Sequence, residues 1–68
     1  MEAILGQLAH NIKAARRERG LSIEELALNT RISPYVLGRI EDGRANPTID
    51  TVFRIARALS VKPASLFR

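Results

Sequence analysis

The sequence predicts an all-α fold: five short helices packed as one compact domain of 68 residues. Three observations carry that reading. Apolar residues recur at three- and four-residue steps along most of the chain, the period of a helix with one buried face. Ser22, Ser33 and Thr48 each stand just before such a segment, where a side-chain oxygen can satisfy an orphan N–H of the first turn. No alternating strand pattern of useful length is present. At this size folding buries only about 60% of the unfolded chain's surface, so net stability is small and easily lost.

The first helix is predicted over residues 3–19, with Ile4, Leu5, Leu8, Ile12 and Ala15 forming one apolar stripe. Gly6 weakens its first turn. Arg16, Arg17 and Arg19 complement the negative end of the helix dipole, and Gly20 stops it. The second helix spans 23–29. Ser22 with Glu25 three residues later is a capping box, each side chain bonding the other residue's backbone N–H. The third spans 34–41, with Ser33 as N-cap and Pro34 at the first position, where no N–H is needed. It stops at Asp42-Gly43, and residues 43–47 form a loop. Thr48 opens a fourth helix, 48–59, whose broad apolar face holds Ile49, Val52, Phe53, Ile55, Ala56 and Leu59. Pro63 starts a last short helix, 63–67. The expected core is Leu8, Ile12, Ala15, Leu21, Leu26, Ala27, Ile32, Leu37, Ile40, Val52, Ile55, Leu59 and Val61.

Helices two and three are about two turns each and are joined by a very short turn, which reads as a helix-turn-helix. In that motif the second helix enters the major groove of DNA. The formal net charge of +4 and pI near 10.7 suit a polyanionic partner, although charge alone is weak evidence. Other classes find little support. There is no cysteine for a disulfide or thiolate metal site. No apolar run approaches the ~20 residues of a membrane helix, and the N-terminus lacks the basic-then-apolar layout of a signal peptide. His10, the only histidine, falls opposite the first helix's stripe and reads as a surface residue. No carboxylate pair, activated nucleophile, metal-ligand spacing or phosphate-binding glycine loop is present. The sequence is therefore read as a non-enzyme without metal or cofactor.

The solvent face of the third helix is left to Pro34, Tyr35, Gly38 and Arg39, because Leu37 and Ile40 point to the core by spacing. Arg39 is the strongest base reader, since its fork can bond guanine O6 and N7 together; a phosphate contact or an ion pair with Asp42 is the alternative. Tyr35 can stack on a sugar, reach a phosphate or pack on a thymine methyl, or else brace the helix. Gly38 costs about 1 kcal/mol against Ala in mid-helix, and close approach to a base edge or backbone is the expected return. Ser33 and Thr48 combine a hydroxyl with a helix N-terminus and so favour phosphate. Arg44 and Asn46 lie in the loop before helix four as further phosphate candidates. Arg54, Arg57 and Lys13 read as a solvated face.

The combined pattern resembles the Cro and lambda-type phage repressor family of helix-turn-helix domains, the XRE-like transcriptional regulators. It is carried by Arg16, Gly20 through Ala27, Ile32-Ser33, Tyr35, Leu37, Arg39 through Arg44, Asn46-Pro47-Thr48 and Ile55 through Leu59, and it covers about residues 8–67. The resemblance implies a lambda-repressor-like, DNA-binding domain that regulates transcription, usually as a repressor and homodimer on an inverted-repeat operator. It implies double-stranded DNA as partner, a bacterial or phage-encoded cytoplasmic protein bound to the nucleoid, and no membrane or small-molecule ligand. It also implies a phosphate contact for Arg44, a buried or half-buried salt bridge between Arg16 and Glu41, and dimer contacts near the C-terminal end, where Val61, Leu66 and Phe67 offer apolar surface. The alternative for Leu66 and Phe67 is to fold back on helix one and close the core.

Two positions depart from the family. Its usual Gln at the start of helix two is Ile23 here, which can neither hold a phosphate nor orient the next helix by hydrogen bonding. Its usual left-handed Gly in the turn is Arg31, at a cost of roughly 1 kcal/mol; either the turn tolerates Arg, or Arg31 gains a phosphate contact that offsets the strain. The competing functional class is a protein-interaction or adaptor module built on the same fold, which fold alone does not exclude.

Overall fold

The computed structural model of the chain describes residues 2–68. Its elements are α1 (Glu2–Glu18), α2 (Ile23–Thr30), α3 (Pro34–Glu41), α4 (Ile49–Leu59) and a C-terminal 3₁₀ helix (Pro63–Phe67). The domain is all-helical as expected, but the fifth element is 3₁₀ rather than α. Five residues opened by a proline give too few i→i−4 bonds to hold an α-helix, and Ser65 N–H instead donates to the Lys62 carbonyl at 2.9 Å.

Local chemistry sets the ends of the helices. Ser22 Oγ accepts from Glu25 N–H at 3.0 Å, and Ser22 N–H donates to Glu25 Oε1 at 2.9 Å. Hydrogen bonding to the Ser22 backbone N–H foremost, and to the Ser22 side chain second, holds the Glu25 carboxyl below the usual carboxylate range. Ser33 Oγ accepts from Val36 N–H at 3.1 Å, and Thr48 Oγ1 from Thr51 N–H at 3.2 Å. Gly20 (φ 68°) and Gly43 (φ 73°) supply the left-handed backbone that ends α1 and α3.

The core is one cluster built from Leu8, Ile12, Leu26, Ala27, Leu37, Ile40, Val52, Ile55, Ala56, Leu59 and Leu66. Ala15, Leu21, Ile32 and Val61 are only partly buried against it. Two expectations need correction. Ile49 and Phe53 stay 68% and 55% exposed, because α4 buries only the narrow stripe Val52, Ile55, Ala56 and Leu59. Leu66, expected at a dimer contact, is 2% exposed and belongs to the core. The C-terminal turn is held against α1, where Asn11 Nδ2 donates to the Leu66 and Arg68 carbonyls at 2.9 and 2.8 Å. Ile4, at the free end of α1, is 52% exposed.

A charged pair ties α1 to α3. Arg16 Nε and Nη2 donate to the two carboxylate oxygens of Glu41 at 2.7 and 2.9 Å, and Nη1 donates to the Leu21 carbonyl at 2.8 Å. The side chains are 11% and 1% exposed. The hydrogen bonds to Glu41 raise the Arg16 guanidinium pKa, with burial opposing. Glu41→Ala would leave that guanidinium at low exposure without its anion. It is expected to cost about 3–5 kcal/mol, read as a large drop in melting temperature. A drop within experimental error would mean that the pair does not anchor α3.

Candidate nucleic-acid interface

α3 presents two faces of opposite character. Leu37, Ile40 and Glu41 are buried, which fixes the rotation of the helix about its axis. The opposite face exposes Pro34, Tyr35, Val36 and Arg39, with Gly38 half-buried among them. Tyr35 is 74% exposed, so it does not brace the helix as a buried aromatic would. A Cβ built on Gly38 meets nothing within 4 Å. Nothing inside the chain requires a glycine there, and the missing side chain leaves a flat spot on the exposed surface.

The loop after α3 is tied back to it by two reciprocal bonds. Arg44 N–H donates to the Arg39 carbonyl at 2.8 Å, and Arg39 Nη2 donates to the Arg44 carbonyl at 2.9 Å. One of the five guanidinium N–H groups of Arg39 is engaged in this way, which leaves the fork able to bond elsewhere. The Asp42 ion pair considered for Arg39 is not among the salt bridges of the described residues. Arg44 and Asn46 are exposed in the loop that leads to Thr48, the exposed N-cap of α4. Ser33 is exposed at the N-terminus of α3.

Arg31 takes the left-handed conformation at φ 60°, ψ 30°, as C-cap of α2, with its N–H donating to the Ala27 carbonyl at 2.8 Å. Its side chain is exposed and lines a cleft with Arg54 and Arg57 of α4, whereas Arg44, Asn46 and Thr48 lie outside that lining. Arg54 and Arg57 are exposed, in keeping with a solvated face, and in addition border this cleft. Their three-residue spacing was visible in the sequence, but nothing local linked them to the turn. Ile23 is half-buried and packs against the core, so the first position of α2 serves packing instead of hydrogen bonding. Val61 is half-buried and Phe67 is 40% exposed at the C-terminal end. His10 lies exposed on α1. No group of three or more metal-ligating side chains occurs among the described residues, and no helix among them is long and apolar enough to cross a membrane.

A short capped helix, a tight turn and a second helix with one buried and one exposed face define a helix-turn-helix domain of the DNA-binding class. The chain belongs to the helix-turn-helix family of XRE and Cro/C1 type, whose family model matches residues 12–66. It is similar to the HTH-type transcriptional regulator SutR of Escherichia coli K12, with 39% identity over 67 residues, 98% of this chain and 37% of that protein. Its fold matches an HTH_3 family transcriptional regulator from Vibrio cholerae with a TM-score of 0.91 and 36% identity, over 97% of this chain and 37% of that one. It also matches the restriction-modification controller protein C.AhdI from Aeromonas hydrophila, with a TM-score of 0.92 and 29% identity, over 96% and 98% of the two chains. The chain thus spans 37% of the length of SutR and of the Vibrio protein.

Gly38→Ala separates stability from recognition. The added methyl meets no neighbour within 4 Å and raises helix propensity, so the free domain is expected to gain about 1 kcal/mol. If the flat spot approaches DNA, the same variant binds duplex more weakly while melting higher. A variant that melts higher and binds DNA unchanged removes Gly38 from the interface.

Proposed function

We propose that this chain binds double-stranded DNA by seating α3 in the major groove and regulates transcription, as a repressor, from a paired site. The observation that carries the reading is the exposed face of α3, held in fixed rotation by its buried residues and by Arg16. Arg39 and Tyr35 face bases, with Pro34 and Gly38 allowing close approach. Ser33, Arg44, Asn46 and Thr48 hold phosphates on either side. Membership of a family of transcriptional regulators supports this assignment. Few polar groups lie on the reading face, so DNA shape contributes a large part of the sequence preference.

The chain carries one α3. Half-sites one turn apart lie roughly 34 Å between centres, so reading both requires two copies. We place the contact between copies at Phe67 and Val61, where apolar surface remains after Leu66 is buried. An interface of so few residues is weak and forms fully only on DNA.

One observation favours a second reading, a protein-interaction module. A mostly apolar cleft of about 520 Å³ is lined by Ala27, Leu28, Ile32 and Pro34 with Glu24, Arg31 and Ser33 at its edges, and Leu28 within it is 81% exposed. A salt titration of duplex binding separates the two, because phosphate contacts give a steep negative slope of log affinity against log salt.

Two variants refine the site. Arg39→Ala is expected to cost about 1–3 kcal/mol on a preferred site and to relax selection at one base pair. Arg44→Ala should weaken all duplexes alike and lower the salt slope by about one unit. Equal loss on every sequence for Arg39→Ala would make Arg39 a phosphate contact, and an unchanged slope for Arg44→Ala would remove it from the interface. For the paired site, sedimentation of wild type and Phe67→Ala on an inverted-repeat duplex should show two copies bound cooperatively only by the wild type. Independent binding by the wild type would contradict the dimer.

A further inference from the structure

A cleft lies between the C-terminal end of α2 and α4. It has a volume of about 340 Å³ and is lined by Asn29, Thr30, Arg31, Arg54, Arg57 and Ala58. Its lining includes no residue of α3 or of the loop before α4. Three arginines from two separated segments therefore line one small concavity, and Arg31 also borders the apolar cleft beside Ile32 and Pro34. Like charges gathered in this way repel one another unless an anion sits among them.

The groups that could neutralise the cleft from within are few. Asp50 pairs with Arg54 at 3.1 Å, but both side chains are at least half exposed and Asp50 is outside the lining. Such a pair offsets little charge. Arg31 and Arg57 have no ion pair among the described residues. The Thr30 carbonyl already accepts from Arg54 Nη1 at 3.4 Å. Thr30 Oγ1 is committed to the Leu26 and Ala27 carbonyls and the Ile32 N–H. What remains free toward a ligand is dominated by guanidinium N–H donors. Arg31 also stands at φ 60°, where glycine would be unstrained. Ser60 caps α4 in the same conformation at φ 57°; a contact made by the Arg31 side chain would offset the strain at its own position.

We infer that this cleft is a phosphate-binding site in which Arg31, Arg54 and Arg57 together grip one phosphate group. Planar guanidinium forks match phosphate oxygens in pairs, which a surface of lysines would not. The group arrives either on a free phosphorylated small molecule or as a backbone phosphate of the bound duplex. Occupancy would bridge α4 to the turn two residues before Ser33, the N-cap of α3, so it bears on how firmly the recognition helix is aimed. The free-molecule source goes beyond the DNA-binding reading, whereas the duplex source rests on it.

The test uses Arg57→Ala, which removes an exposed side chain with no internal hydrogen bond among the described residues, and Arg17→Ala as a control of equal charge change on the outer side of α1. Isotope-labelled protein is titrated with inorganic phosphate and with tripolyphosphate at constant ionic strength. The same proteins are then titrated with duplex over a range of salt. A free ligand is established if tripolyphosphate shifts the amides of residues 29–33 and 54–58, with affinity at least fivefold weaker in Arg57→Ala and unchanged in Arg17→Ala. Arg57→Lys should recover only part of the loss, because it restores charge without the fork. A duplex phosphate is established if the free anions do not saturate these amides but Arg57→Ala lowers the duplex salt slope by about one unit while Arg17→Ala does not. The site is overturned if neither response is seen, or if the two variants behave alike. A chain that binds no duplex still answers the anion arm, so failure of the DNA reading and failure of this site are distinguishable.

Discussion

The contact between Arg16 and Glu41 is the constraint on which the rest of this domain depends. α3 is only eight residues long, too short to persist by its own hydrogen bonds. Leu37 and Ile40 bury one face of it, but two aliphatic side chains leave a short helix free to rock. A carboxylate at 1% exposure, gripped through both oxygens by a guanidinium from α1, restricts that motion. The third Arg16 bond, to the Leu21 carbonyl, adds the segment that leads into α2. One side chain therefore joins α1, the start of the helix-turn-helix and the end of its second helix. A pair this buried adds little net stability over well-packed apolar residues. Its contribution lies in orientation: it restricts where the exposed face of α3 points.

Around that frame the surface divides by chemistry. The reading face of α3 is sparse, with a tyrosine, an arginine, a proline and a glycine in place of the amides that would bond adenine edges. The loop that follows is kept in place by the reciprocal Arg39 and Arg44 bonds, so the base-reading and phosphate-holding candidates are mechanically linked. A second group of arginines, Arg31, Arg54 and Arg57, lines the cleft between the end of α2 and α4.

What the sequence made legible was what local chemistry decides. The bounds of α3 follow from Ser33, Pro34 and Gly43, and the capping box at Ser22 and Glu25 is present with both bonds formed. The left-handed backbone at Arg31 was legible only through the resemblance, which puts a left-handed residue at that position of the turn. What was not legible depends on how helices meet. Phe53 and Leu66 are both large and apolar, yet one is turned outward and the other fills the core, because α4 buries only a narrow stripe and Asn11 draws the C-terminal turn onto α1. The return of Arg39 to the Arg44 carbonyl and the convergence of α4 arginines on Arg31 are likewise tertiary facts with no periodic signature.

The central claim is that the chain meets DNA with the exposed face of α3 on a frame already in place before binding. Amide shift mapping of the labelled domain during titration with a duplex tests this most directly. Strong perturbation is expected across residues 33–39 and 44–48, with the amides of buried Ile12, Leu26 and Leu59 essentially unmoved. Perturbation centred on the outer side of α1, or shifts spread through the whole core, would contradict it.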